Sequence, residues 1–163
     1  MRRDRHVVAL ERLYRNDYYR FVRVALSITR SEETAHEAVQ DAFANVIQAR
    51  HSYRGTGPLE GWVWRAIINS AHSTRRREQR DQLFDPLIDS VEDKSLAFEA
   101  AQLREWIAVL PERQRLAIFL RYYADLDYRN IATALSIEVG TVSATLSAAH
   151  VALRRLLKEV EQC

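Results

Sequence analysis

Apolar residues recur at helical spacing along most of the chain, and the runs are separated by short polar or glycine-bearing stretches. Leu10, Tyr14, Tyr18, Phe21, Ala25 and Ile28 predict a first helix over residues 6–29. Thr29, Arg30 and Ser31 break it, and Ser31 is placed to cap the next helix, with Glu32 and Glu33 in its first turn. That helix is predicted to reach about residue 50. Ala35, Ala38, Val39, Ala42, Phe43 and Val46 form its apolar stripe, and Glu37, Gln40, Asp41 and Gln48 lie on the other side. HSYRGTG, residues 51–57, reads as a loop whose two glycines give backbone freedom. Pro58 suits the first turn of a helix running to Arg80. Leu59, Trp62, Val63, Ala66, Ile67 and Ser70 form its expected inward face.

Residues 81–98 lose this periodicity, and Pro86 argues against a regular element there. Helical spacing returns from Glu99, with Leu103, Trp106, Ile107 and Leu110 on one face. A further helix is expected from Pro111, with Leu116, Ile118, Phe119 and Leu120 inside. Asp127 is predicted to cap a short helix through about Leu135. Residues 136–140 read as a turn and residues 141–156 as the last helix. Ile131 and Ala132, then Val142, Leu146, Ala149 and Leu153, face inward; Ser143, Thr145, Ser147, Ala148 and His150 face a groove. This is helix-turn-helix spacing. The fold class expected is all-α, with two small helical domains, residues 1–80 and 99–163, joined by a linker over residues 81–98.

The net charge of the 163 residues is only +2, so the total does not identify a polyanion as partner. Its distribution is more informative. Residues 65–80 are basic, whereas Asp81, Asp85, Asp89, Glu92, Asp93 and Glu99 face a single Lys94 in the next stretch, which makes the linker acidic. The only cysteine is Cys163, which rules out an internal disulfide and a cysteine-built metal site and fits a reducing compartment. MRRDRHVVAL has no apolar run long enough for a signal peptide, and no window approaches a membrane span.

Chemistry concentrates in the Pro58 helix. Arg65, Asn69, His72 and Arg76 recur at steps of four, three and four on one face. Such a row can neutralise phosphates and hydrogen-bond bases, and Tyr53 and Arg54 in the preceding loop suit an unstacked base. The plainer reading is that Trp62 is core and the arginines only complement a helix C-terminus. Composition and spacing leave both open.

Three segments in order carry a family resemblance: AHEAVQDAF (residues 35–43), WVWRAIINSAHSTRRR (62–77) and LPERQRLAIFLRYYADLDYRNIATALSIEVGTV (110–142). Together they resemble the extracytoplasmic-function group of bacterial RNA polymerase sigma factors, over about residues 10–157. The resemblance implies that Glu37, Gln40 and Asp41 dock on the polymerase clamp. It implies that Tyr53, Arg54, Arg65, Asn69, His72, Arg75, Arg76 and Arg77 meet the opened minus-ten strand, and that the acidic linker threads near the active centre. Arg129, Thr141, Ser143, Thr145, Leu146 and His150 would serve the minus-thirty-five element, on a module that also holds the flap tip. Core RNA polymerase and promoter DNA are the implied partners, with an anti-sigma factor as a further one, in the cytoplasm. No cofactor or metal is implied. The chain departs from the family where Ser143, Thr145 and Ala148 replace the usual Lys or Arg; residues 130–153 contain neither.

Two other classes compete. A free-standing helix-turn-helix regulator with an N-terminal partner-binding domain accounts for the last third only. An enzyme is disfavoured because His6, His36, His51, His72 and His150 are scattered and no phosphate loop or nucleophile motif occurs.

Overall fold

The structure, a computed structural model, describes residues 4–55, 57–81, 105 and 107–162. It divides into two compact units, residues 1–91 and 92–163. The described residues form helices and turns with no strand, so the all-α expectation holds. The linker beyond Asp81, and Glu99, Leu103 and Trp106 of the following helix, lie outside the described residues.

The first unit packs three helices: α1 (Arg5–Thr29), α2 (Glu32–Gln48) and α3 (Leu59–Asp81). Asp4 caps α1 by accepting the His6 N–H at 3.0 Å. Arg30, at φ 62°, ends the helix in the left-handed conformation and donates its N–H to the Leu26 carbonyl. Ser31 stands at the N-cap of α2, as expected, but its side chain makes no capping bond. The Ser31 carbonyl is used instead, accepting from the hydroxyls of Thr29 and Thr34, both at 3.1 Å. All six predicted stripe residues of α2 are buried. The helix stops at Gln48, and Arg50–Ser52 form one 3-10 turn.

The face predicted for α3 is corrected. Its buried residues are Gly61, Val63, Trp64, Ile67, Ile68, Ala71 and Thr74, while Leu59, Trp62, Ala66 and Ser70 are half-buried. The core face is therefore turned by roughly one residue step, about 100°. The cause is aromatic packing. Trp64 is 1% exposed and lies 4.5 Å from the Phe21 ring, which in turn packs on Phe43 at 5.3 Å. Three large rings meeting between three helices outweigh the smaller residues on the expected face; each such ring pair adds about 0.5–1.5 kcal/mol beyond its buried area. Thr74 enters this core at little cost, since its hydroxyl donates to the Ser70 carbonyl at 2.9 Å.

The second unit contains α4 (Glu112–Ile118), α5 (Tyr128–Leu135) and α6 (Val139–Glu161). Its core is aliphatic: Ile107, Leu110, Leu116, Ala117, Ile118, Leu120, Leu126, Ile131, Val142 and Leu146 are buried. Phe119, expected inside, is only half-buried. It opens a π-helical turn, Phe119–Tyr123, that widens the end of α4 and rotates the following residues outward. The Leu120 carbonyl accepts the Leu126 N–H at 2.9 Å, returning the chain to the core. Asp127 caps α5 as predicted, accepting the Asn130 N–H at 2.8 Å. That bond holds its carboxyl below the usual carboxylate value.

Ser136 is left-handed at φ 55°, and the chain turns through 94° between α5 and α6. A corner of this size is the geometry of a helix-turn-helix. The last helix begins at Val139, two residues before the expected start, and reaches Glu161.

Candidate nucleic-acid interface

On α3 the polar row forms as predicted. Arg65, Asn69 and Arg76 are exposed and His72 is half-buried, on the side turned away from the aromatic core. A straight helix holds them along one line because steps of four, three and four return to the same angle. Arg75 is half-buried at the edge of this row. Arg77 is turned elsewhere. Its guanidinium meets the Asp41 carboxylate of α2 at 3.6 Å and donates to the Thr74 hydroxyl at 3.4 Å. Residues that the sequence assigns to two different surfaces are thus ion-paired across α2 and α3.

The loop before α3 is more tied down than its glycines suggest. Tyr53 stacks on Trp62, ring centroids 5.3 Å apart and planes 30° from parallel. His6 meets the Tyr53 ring edge-on at 5.7 Å, and the Tyr53 hydroxyl donates to the Gly57 carbonyl. The ring offered to a base in the sequence reading is therefore engaged within the protein. Arg50 anchors the loop root through a 2.8 Å bond to Asp4, whose carboxyl this bond holds below its ordinary value. Arg54 remains exposed, and Gly55, at φ +70°, needs glycine for its backbone angle alone.

On α2, Glu37 and Gln40 are exposed and Asp41 half-buried. Tyr18 of α1 stands behind them, its hydroxyl 2.7 Å from His36 Nδ1 and also hydrogen-bonded to Gln40; burial raises the phenol's pKa. Glu78 of α3 closes the far edge. Burial, then the charges of Glu37 and Glu33, push its carboxyl upward. Glu33, Glu37 and Glu78 thus gather carboxylates near one another here, an arrangement that suits a cationic partner.

The groove-facing list for α6 is corrected at Thr145; Leu146 is buried as its inward assignment expected, which corrects instead the minus-thirty-five contact that the resemblance implied for it. Thr145 is 9% and Leu146 3% exposed, so both belong to the core. The Thr145 hydroxyl donates to the Thr141 carbonyl at 2.7 Å, which removes the reason to keep it in water. Thr141, Ser143, Ser147 and Ala148 are exposed, as is Arg129 on α5. His150 is half-buried, with Nε2 2.9 Å from the Tyr122 hydroxyl. Sequence reading missed Ala144 and Val151, which are exposed on the same outer side. The buried Val142, Thr145, Leu146 and Ala149 set this phase. Among the described residues no group of His, Cys, Asp and Glu is placed to hold a metal ion.

Comparison with known proteins decides the family. Residues 13–81 match the family description "Sigma-70 region 2", and residues 100–156 match "Sigma-70, region 4". The chain belongs to the sigma-70 family. Several of the relatives within it are named as ECF sigma factors. The chain is similar to RNA polymerase sigma factor YlaC of Bacillus subtilis, 24% identical over 161 residues, covering 93% of each chain. It is similar to ECF RNA polymerase sigma factor SigM of Mycobacterium tuberculosis, 27% identical over 152 residues, covering 91% of this chain and 77% of the relative. The fold is shared with the sigma factor RpoE in its co-crystal structure with the anti-sigma factor NepR from Bartonella quintana. The TM-score is 0.67 at 21% identity, covering 91% of this chain and 96% of that one. It is also shared with CnrH in complex with the cytosolic domain of CnrY, TM-score 0.68 at 20% identity, covering 93% and 88%.

Proposed function

We infer that this sigma factor works with core RNA polymerase, to which it adds promoter address and strand opening, and that it catalyses no reaction itself. The observation that carries this reading is the exposed Arg65–Asn69–Arg76 row within the residues that match sigma region 2. Cations along a helix neutralise backbone phosphates, and an amide between them hydrogen-bonds a base edge. Unpairing a base costs a few kcal/mol. A cationic row that binds the separated strand offsets part of that cost, so opening is favoured without bond cleavage.

The rest of the division follows from the surfaces. Residues 1–80 dock on polymerase through Glu37, Gln40 and Asp41 and hold the minus-ten strand with the α3 row and Arg54. Residues 81–98 tether, and residues 99–163 set α6 in the major groove of the minus-thirty-five element. Tyr53 acts by shaping the loop, since its ring is stacked on Trp62. An anti-sigma factor is a third partner, by analogy with the complex of RpoE. The work is cytoplasmic, where polymerase is; among the described residues no single helix is long and apolar enough to cross a membrane. A free-standing regulator would leave the region 2 match over residues 13–81 without a role.

The test is start-site mapping. Purified chain and bacterial core polymerase are incubated with a promoter library, and RNA 5′ ends are sequenced. Discrete starts that need the added chain support the reading. Starts identical with and without it would refute it.

A further inference from the structure

The outer side of α6 has an unusual chemistry for a helix assigned to DNA. Thr141, Ser143, Ala144, Ser147, Ala148 and Val151 are exposed along it. Residues 139–153 contain no Arg, Lys, Asn or Gln. Those four side chains make the bidentate contacts that identify guanine and adenine in the major groove. The one His in the segment, His150, is held by Tyr122 at 2.9 Å. What the helix offers is a line of methyl groups. Ala144, Ala148 and Val151 follow steps of four and three, and Thr141 lies one step of three before them. Val151 is 45% exposed, so the line ends on a branched apolar side chain facing water.

No cation interrupts this line, and exposed arginines lie outside it on α5 and α6. Arg129 is exposed on α5, and Arg154 and Arg155 are exposed just beyond it on α6. An apolar strip with cations beyond its C-terminal end suits a polyanion that also presents methyl groups. In the major groove only thymine does so, through its C5-methyl. From Thr141 to Val151 the helix rises about 15 Å, which is roughly four steps of base pair at 3.4 Å each. Small side chains let the backbone approach the bases closely enough for such contacts.

We propose that α6 selects its promoter element by packing Thr141, Ala144, Ala148 and Val151 against thymine methyl groups, while Arg129, Arg154 and Arg155 hold the flanking phosphates. This rests on the reading that α6 lies in the major groove. It adds the base that is read and the side chains that read it.

The test uses the full chain assembled with core polymerase. Promoter duplexes with a randomised upstream element are selected for binding, and the winners are resynthesised with deoxyuridine in place of thymidine at each upstream position. Deoxyuridine pairs like thymidine and lacks only the methyl. The expected result is a thymine-containing element in which two or more substitutions each weaken binding about fourfold, the value of one buried methyl group. Ala148→Ser and Val151→Ser should erase the thymidine preference at one position each. Arg154→Gln should weaken both duplex types equally and lower the salt slope by about one. An enriched element that binds equally well with deoxyuridine overturns the methyl contact alone. If no upstream element is enriched, α6 is not in the groove and the inference falls with that reading.

Discussion

The proposed function gives the two units opposite means of reaching nucleic acid. The first packs aromatic rings, Phe21, Phe43 and Trp64, at the meeting of three helices, and spends α3's free side on cations and an amide. Among the described residues, the second has an aliphatic core and a last helix whose outer side is small, hydroxylated and methylated. The first surface attracts any strand that carries phosphates. The second, on that reading, adds close fit along α6 to phosphate contacts that lie outside the strip. On the proposed reading, opening rests on charge and addressing on shape.

The largest expected effect probes the aromatic side. Trp64→Ala should destabilise the first unit by about 3–5 kcal/mol, because a large buried side chain is removed. Trp62→Ala should cost about 1 kcal/mol, chiefly its stack with Tyr53. Urea unfolding followed by circular dichroism separates them, and the reverse order would restore the face first expected from sequence. On the aliphatic side, Leu146→Ala should cost about 2–5 kcal/mol, against less than about 0.5 kcal/mol for Ser147→Ala. Equal, small effects would contradict the burial of Leu146.

Smaller effects sharpen the comparison. Asp127→Ala should destabilise the second unit by about 1 kcal/mol, through loss of the α5 cap. Its carboxyl is held below the reference value of 3.8. The cap's ionised contribution is therefore complete above that value and lost as pH falls through the lower folded-state value. Acid titration of the variant should accordingly be flatter than that of the parent below pH ~4. Glu78 has the opposite sign. Its carboxyl is raised above 4.5, so the folded state binds the proton more tightly and loses stability as pH rises through that window. Glu78→Gln should then stabilise the first unit at neutral pH by a few tenths of a kcal/mol, screened by solvent. The gain should vanish below the reference value of 4.5, as paired thermal melts at pH 4 and 7 would show.

Helix existence was legible in the sequence because apolar spacing is long and regular in both units. Faces were less so. On α3 two tryptophans two positions apart compete for the core, and only packing against Phe21 selects Trp64 over Trp62. Thr145 misled for a local reason: a hydroxyl that bonds the carbonyl four residues back behaves as an apolar group. Phe119, expected inside, is half-buried at the point where α4 passes into a π turn, and no periodicity announces that turn. The α3 row was legible, since charge, amide and spacing coincide. The engagement of Tyr53 was not, because Trp62 and His6 reach it from other parts of the chain.

The most direct measurement pairs core-polymerase affinity with permanganate reactivity of unpaired thymines on one promoter, for Asp41→Lys and for the Arg65→Ala/Asn69→Ala double variant. The account predicts opposite defects. Asp41→Lys should lose polymerase affinity, while the double variant should bind polymerase as the parent does and open the promoter at least tenfold less. A double variant that loses affinity and opening in equal measure would contradict the separation of docking and melting surfaces.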